Sequence, residues 1–361
     1  MPIAFSQDRW AKTEADYTDW WAGKLSRPLI QMPVTGGREP GRGAPLLKRV
    51  SRDTTAYDLS VSVDDMIDYW DYELSCTEYL GDSFPLIWPD FGAGVIAAFL
   101  GAETVAGAET VWFHPAKHQE SADIHFAYDA DNTWLNRLKA INRAGSERWD
   151  GNVQICMTDL GGNLDILASF RPSEELLFDL IDYPEEVKRL TWEAHHLWWQ
   201  YFDEFNQVLQ PVNPGYSAWA SIYSADPYYM LQCDFAYMIG PDMFDEFVLP
   251  ELKATCDRLV NPFYHLDGIG QLPHLDSLLK IESLKGIQWV PGDGQPDWAH
   301  WPQVYRKIRD AGKLIQLFGD ISILDAVAEQ LGTAEGIILL TRCDMSNRTE
   351  AEEALRRYGA L

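Results

Sequence analysis

Positive charge is scarce in this chain. Twenty-nine Lys and Arg residues face 55 Asp and Glu, a formal charge of −26. A nucleic-acid binder needs a basic footprint that displaces counterions from phosphates, and adhesion to an anionic membrane needs the same attraction. Neither partner is expected here. Cysteine is scarce as well. Cys76, Cys156, Cys233, Cys256 and Cys343 make an odd count, and no two form a CxxC. That argues against a disulfide framework and fits a reducing compartment. No run approaches the roughly 18 uncharged apolar residues of a membrane span. The first ten residues lack the basic segment and apolar run of a secretory signal. The expected location is the cytoplasm. No GxGxxG follows the first strand and no GxxxxGK[ST] occurs, so neither a dinucleotide fold nor a phosphate loop is supported. No internal repeat, low-complexity stretch or linker marks a second domain.

What the chain does have is apolar and aromatic bulk. Residues of apolar type make up 46%, enough for a large core, and 15 Trp and 16 Tyr are among them. Aromatics gathered at strand ends would line a pocket for a flat or sugar-like ligand.

The patterning predicts a helix near residues 7–24, a short strand at 27–34 and a Gly/Pro/Arg loop at 36–43. A helix at 63–76, a strand at 84–88 and an excursion of short strands over 104–130 follow. Regular alternation then sets in. Helices are expected at 132–147, 163–205 (two), 241–259, 272–281, 301–311, 321–331 and 349–358. Strands are expected at 152–157, 216–222, 262–266, 286–290, 313–317 and 336–340, with a short segment near 231–234. The strands are apolar runs without polar alternation, as in a parallel sheet covered on both faces. About eight such strands favour a closed (β/α)8 TIM barrel over an open sheet. The expectation is a single barrel domain over 1–361, with an N-terminal helical extension at 1–27.

Reactive side chains of such barrels sit at the C-terminal ends of strands. The candidates are then Arg38, Asp90, Asp159, Cys233 with Asp234, His265 with Asp267, Asp293, and Arg342 with Cys343 and Asp344. His265-x-Asp267 is the leading pair. Two residues apart at a strand end, an imidazole and a carboxylate can face the same side and hold a metal or exchange a proton. Gly268 and Gly270 let backbone approach a ligand. Cys343 is a candidate third ligand. Asp234 and Asp293 can orient a substrate, and Trp289 and His274 are candidate substrate contacts. Arg38 and Arg42 can hold an anionic group by two-pronged hydrogen bonds, or serve as surface counter-charges.

Residues 233–250, with Gly240-Pro241, Phe244, Phe247 and Pro250, resemble a strand and helix of the uroporphyrinogen decarboxylase superfamily, which includes the cobamide-dependent methyltransferases. Tyr264-His265-Leu266-Asp267-Gly268 stands where that family has a His-x-Cys-Gly strand end. Segments 286–289, 309–313 and 347–354 fit its later units, and 32–38 loosely matches its arginine-bearing loop. Residues 150–361 carry most of the resemblance. It implies a barrel with a deep pocket at the strand ends and two possible activities. In the decarboxylase branch, no cofactor is used, and Arg38, Arg42 and Asp90 would contact substrate. The intact Met-Arg-Gln-Ala-Gly-Arg motif and the family's late His-Gly are missing. In the methyltransferase branch, zinc activates a thiol that accepts the methyl group. His265 and Cys343 match its ligands, and Asp267 replaces the cysteine.

The expected function is therefore an enzyme with a metal-assisted, methyltransferase-like site. His265, Asp267 and Cys343 would hold zinc, and a corrinoid or folate carrier would supply the methyl group. Alternatives are a cofactor-free decarboxylase or lyase acting on an anionic substrate, and a non-catalytic barrel binding a small ligand. Expected partners are a small-molecule substrate, a corrinoid protein and a second copy in a homodimer.

Overall fold

The computed structural model describes residues 3–51, 55–107 and 110–361. Residues 1–2 of the expected extension and 108–109 of the expected excursion lie outside the described residues. The chain opens with α1 (Gln7–Trp21), started by Ser6, whose side chain accepts from Arg9 N. Next come β1 (Leu29–Val34), α2 (Val63–Cys76), β2 (Glu78–Gly81), β3 (Leu86–Ile87) and α3 (Ile96–Phe99). The excursion is one hairpin, β4 (Glu103–Ala106) with β5 (Val111–His114). The middle of the chain holds α4 (Thr133–Trp149), β6 (Gln154–Ile155), α5 (Asn163–Ala168), α6 (Ser173–Asp182), α7 (Pro184–Leu209) and β7 (Tyr228–Leu231). The alternating part continues with α8 (Pro241–Phe247), α9 (Leu249–Arg258), β8 (Asn261–Asp267), α10 (Leu275–Leu279) and β9 (Gly286–Val290). It ends with α11 (Pro302–Asp310), β10 (Leu314–Phe318), α12 (Ile321–Leu331), β11 (Ile337–Leu340) and α13 (Arg348–Arg357).

Seven strands form one sheet in the order β2-β1-β11-β10-β9-β8-β7. All neighbours are parallel except β2, which runs antiparallel along β1. β3 and β6 make a separate parallel pair, linked onward by the parallel bridge Met157–Ala218. Among the described residues these ladders do not join into one continuous ring. The arrangement of parallel strands and covering helices is compatible with a barrel. No helix among the described residues is long and apolar enough to cross a membrane.

Three departures from the expected elements have local causes. The two helices expected over 163–205 are three, with breaks at Pro172 and Pro184. The helix expected over 241–259 breaks at Val248, because Pro250 lacks an amide hydrogen and belongs in the first turn of a new helix. The strand expected over 216–222 contributes only the bridges at Ala218 and Tyr216, and Ser221 takes a left-handed φ of 59°.

α1 packs against the N-terminal ends of the strands. Trp10, Tyr17 and Trp20 are buried along one face of it. Tyr17 Oη accepts from Gln31 Nε2 at 2.6 Å, and Trp20 stacks on Phe263. The Phe263 ring leaves room only for glycine at 286, where a Cβ would come within 2.1 Å of it. Arg27 ties α1 to the sheet, gripping both oxygens of the buried Asp82 at 2.8 Å each and reaching Asp16 at 2.7 Å.

Candidate active site

In a parallel ladder, residues in register point to the same face. His265 of β8 is in register with Gln288 of β9, and Gln288 with Gln316 of β10. Their side chains form one chain of hydrogen bonds across the inner face. Gln316 Nε2 donates to the Ala220 carbonyl at 2.8 Å. Gln316 Oε1 then accepts from Gln288 Nε2 at 2.6 Å. Gln288 Oε1 is left facing His265 Nδ1 in a short contact.

A carbonyl can only accept, so the direction of the whole relay is fixed at Ala220. His265 Nδ1 must carry the proton, and its Nε2 lone pair is presented to the strand end. Trp219 sets its ring edge-on to the imidazole at 5.0 Å. Burial holds the His265 pKa below the ordinary histidine value, against the pull of Asp267 and Gln288. The imidazole is therefore neutral near pH 7, as a metal ligand or general base must be.

Asp267 follows on the same face of β8, with Oδ2 at 4.0 Å from His265 Nε2. Asp234 comes from a 3-10 helix, Asp234–Met238, that follows β7. Three contacts seat that helix. Asp165 of α5 accepts from Asp234 N at 3.0 Å and from Phe235 N at 2.7 Å. The buried His274 donates Nε2–H to the Ala236 carbonyl at 2.8 Å and stacks on Phe244. Tyr237 lies over Gly268 and Gly270, where any Cβ would come within 2.9 Å of its ring. The glycines after His265-x-Asp267 thus admit a neighbouring helix and bring Asp234 alongside. One ligand atom each from Asp234, His265 and Asp267 lies within 4.8 Å of the others.

The surroundings are crowded with carboxylates. Asp159, after β6, is buried and accepts from Gly161 N at 2.9 Å and Gln232 Nε2 at 3.3 Å. Burial, with Asp234 and Asp165 nearby, pushes its pKa up to about 7. Asp165 is also raised, by desolvation and by Asp234. Asp234 is exposed at the rim, yet protein on its inner side raises its pKa by desolvation, and the Asp267 charge adds to this. A cation among them would relieve this mutual repulsion.

Several expected site residues lie elsewhere. Cys343 is not brought to this group. It follows β11 beside β1, and its thiol donates to the Asp344 carbonyl at 3.1 Å. Trp289 alternates with Gln288 and so faces the helix layer, fully buried against Trp301. It cannot contact a substrate at the inner face. His274 acts on the fold, as described. Arg42 is held by Asp68 and Asp71 on α2, with Nη2 3.3 Å from Asp71. Arg38 lines a cavity outside β2, with Arg9 and Glu78. Asp90 accepts from Gly92 N at 3.0 Å in a small recess beside Trp88. Asp293 is exposed on the loop after β9, which packs against Gly268 at Gly292.

A cavity of about 710 Å³ lies apart from this group, with none of the three side chains in its wall. Thr35, Phe318 and Arg342, at the C-terminal ends of β1, β10 and β11, are in its wall with Trp70 and Glu73 of α2 and Trp88 after β3. It offers volume, whereas the aligned lone pair and the grouped carboxylates belong to the β7–β8 side.

No protein-family model matches this chain, and no curated protein does. Among solved structures, a methyltransferase from Methanosarcina mazei is similar, with a TM-score of 0.58 at 13% identity. The match covers 96% of this chain and 97% of that one. At that identity the likeness shows a shared fold. An enolase protein from Sargasso Sea environmental sequencing also matches at 10% identity over 71% of this chain and 59% of that one, but its TM-score of 0.24 carries no argument.

Proposed function

We propose that the chain is a (β/α)8-barrel enzyme with a metal-assisted, methyltransferase-like activity, and that Asp234, His265 and Asp267 are its metal ligands. The observation that carries this reading is the convergence of those three side chains, one ligand atom of each within 4.8 Å of the others, with His265 Nε2 4.0 Å from Asp267. The fold shared with a methyltransferase along almost the whole chain supports the reaction class.

Three protein ligands and an open position suit a catalytic rather than a structural ion. Two carboxylates and one imidazole are harder donors than thiolates, so Zn²⁺ competes here with Mn²⁺ or Fe²⁺. A bound divalent ion would supply Lewis acidity, lowering the pKa of a thiol or water acceptor. The chain's own residues do the rest. Gln288 and Gln316 hold the imidazole in one tautomer, and Asp165 and His274 hold the helix that carries Asp234. Asp159 is poised to take or give a proton near neutrality. In this reading the methyl group arrives on a corrinoid or folate carrier.

Elemental analysis of protein purified without chelator tests the metal. A stoichiometric divalent ion in the wild type, lost in His265→Ala and in Asp234→Asn, is expected. Metal-free protein that binds neither Zn²⁺ nor Mn²⁺ in titration, with His265→Ala behaving like wild type, would sink the proposal. Methyl transfer from methylcobalamin or methyltetrahydrofolate to a thiol, followed by loss of the methylated carrier, tests the reaction.

A further inference from the structure

At the opposite edge of the seven-stranded sheet, outside β2, lies a second cavity of about 550 Å³. Its wall includes Arg9, Lys12, Arg38, Arg348 and Glu78. Four cationic side chains in one hollow run against the composition of a chain with 55 acidic and 29 basic residues.

The counter-charges do not reach all of them. Arg348 grips Glu78 with two nitrogens and also holds Glu352 at 2.9 Å. Lys12 pairs with Asp16 on α1. Arg9 and Arg38 are left over, and neither makes an ion pair with any described carboxylate. Arg9 is held in place by donating to the Tyr79 carbonyl at 2.8 Å and by lying over the Phe5 ring at 4.6 Å. The Arg38 backbone is fixed by its N–H bond to the Cys76 carbonyl at 3.1 Å. Its Nη1 is buried from water and has no hydrogen-bond partner.

A buried guanidinium nitrogen without a partner is costly, and a planar fork matches an oxyanion. We infer that this cavity binds a small oxyanion, a carboxylate or a phosphate group, between Arg9 and Arg38. The site is separate from the Asp234–His265–Asp267 group, and it stands whether or not that group holds a metal.

Isothermal titration of the whole protein at constant ionic strength tests this, with inorganic phosphate and succinate as probes and chloride as the background. Saturable binding of either probe is expected, and the tighter one identifies the oxyanion. Arg9→Gln and Arg38→Gln should each weaken binding about tenfold or more, since each removes a charge-assisted contact. Arg42→Gln, outside the cavity, should leave it unchanged. If a glutamine variant fails to fold, Arg9→Lys and Arg38→Lys keep the charge, lose the fork, and should still bind more weakly than wild type. Absence of saturable binding of both probes, or binding equal in wild type and the Arg9 and Arg38 variants, would overturn the inference.

Discussion

Replacing Gln316 by Leu tests the relay that sets the His265 tautomer. Gln316 is fully buried and makes two bonds, from its Nε2 to the Ala220 carbonyl and to its Oε1 from Gln288 Nε2. Leucine is close to it in size, so the main loss is of hydrogen bonds. Two buried groups are orphaned, the Ala220 carbonyl and the Gln288 amide. At about 1–3 kcal/mol each, the variant should lose about 2–6 kcal/mol of stability in urea unfolding. The more telling consequence is local. Without Gln316 nothing fixes the orientation of the Gln288 amide, and a flip would present its NH₂ to His265 Nδ1. The proton would then move to Nε2, the atom that faces Asp267. Histidine labelled with ¹⁵N reports this directly, because protonated and bare ring nitrogens resonate far apart, and His265→Gln assigns the signal. The wild type should show the Nδ1–H form, and Gln316→Leu a mixture or the Nε2–H form. Metal affinity should fall about 10–100-fold, the usual cost of losing a group that orients a ligating histidine. An Nε2–H tautomer in the wild type, or an unchanged tautomer and affinity in the variant, would refute the reasoning.

Three further outcomes are expected. Asp159 has its pKa raised from 3.8 to about 7, so its contribution to stability is full below pH 4 or so and is lost as pH rises through about 7. The gap sets an upper limit of about 4 kcal/mol. Asp159→Asn keeps the accepting oxygen, so it should be more stable than wild type at about pH 8 and nearly equal near pH 4; parallel urea-stability profiles would refute this. Cys343→Ser should retain the full metal content of the wild type, because the thiol lies away from the ligand group; loss of metal would return Cys343 to the site. Asp82→Ala should cost about 2–4 kcal/mol in urea unfolding, since it leaves the Arg27 guanidinium with Asp16 as its remaining acid partner and strands the Ile30 amide, which donates to Asp82 at 2.8 Å. A cost below about 1 kcal/mol would show that the pair contributes little.

The strand that carries the leading candidates was legible in the sequence because its signals are local. An apolar run ending in His265-Leu266-Asp267-Gly268 places both side chains on one face by period alone, and β9 and α12 likewise fall where their patterns put them. What spacing cannot reveal is which distant residue folds up beside that pair. Cys343 and Asp234 both follow strands, so pattern alone ranks them equally. The ladder separates them. Cys343 follows β11, which pairs with β1, whereas Asp234 follows β7, the immediate neighbour of β8. Which of the two joins the His265–Asp267 pair was therefore a question of strand order, and strand order is set by non-local pairing. The face that Trp289 takes was hidden for a related reason: it depends on Gln288 pointing inward, and a buried polar residue is easily passed over in an apolar run. Asp165 left the faintest trace. Its signals were Gly161-Gly162 ahead of a helix and an acid in the first turn, the usual mark of a helix start. Nothing in that mark distinguishes an acid that steadies its own helix from one that reaches across to seat the helix bearing Asp234. The same carboxylate does the second here because the Gln232–Cys233 backbone passes close over Gly162, where a Cβ would come within 2.3 Å of the Gln232 carbonyl oxygen. The bare Gly162 is what lets α5 and the segment after β7 meet.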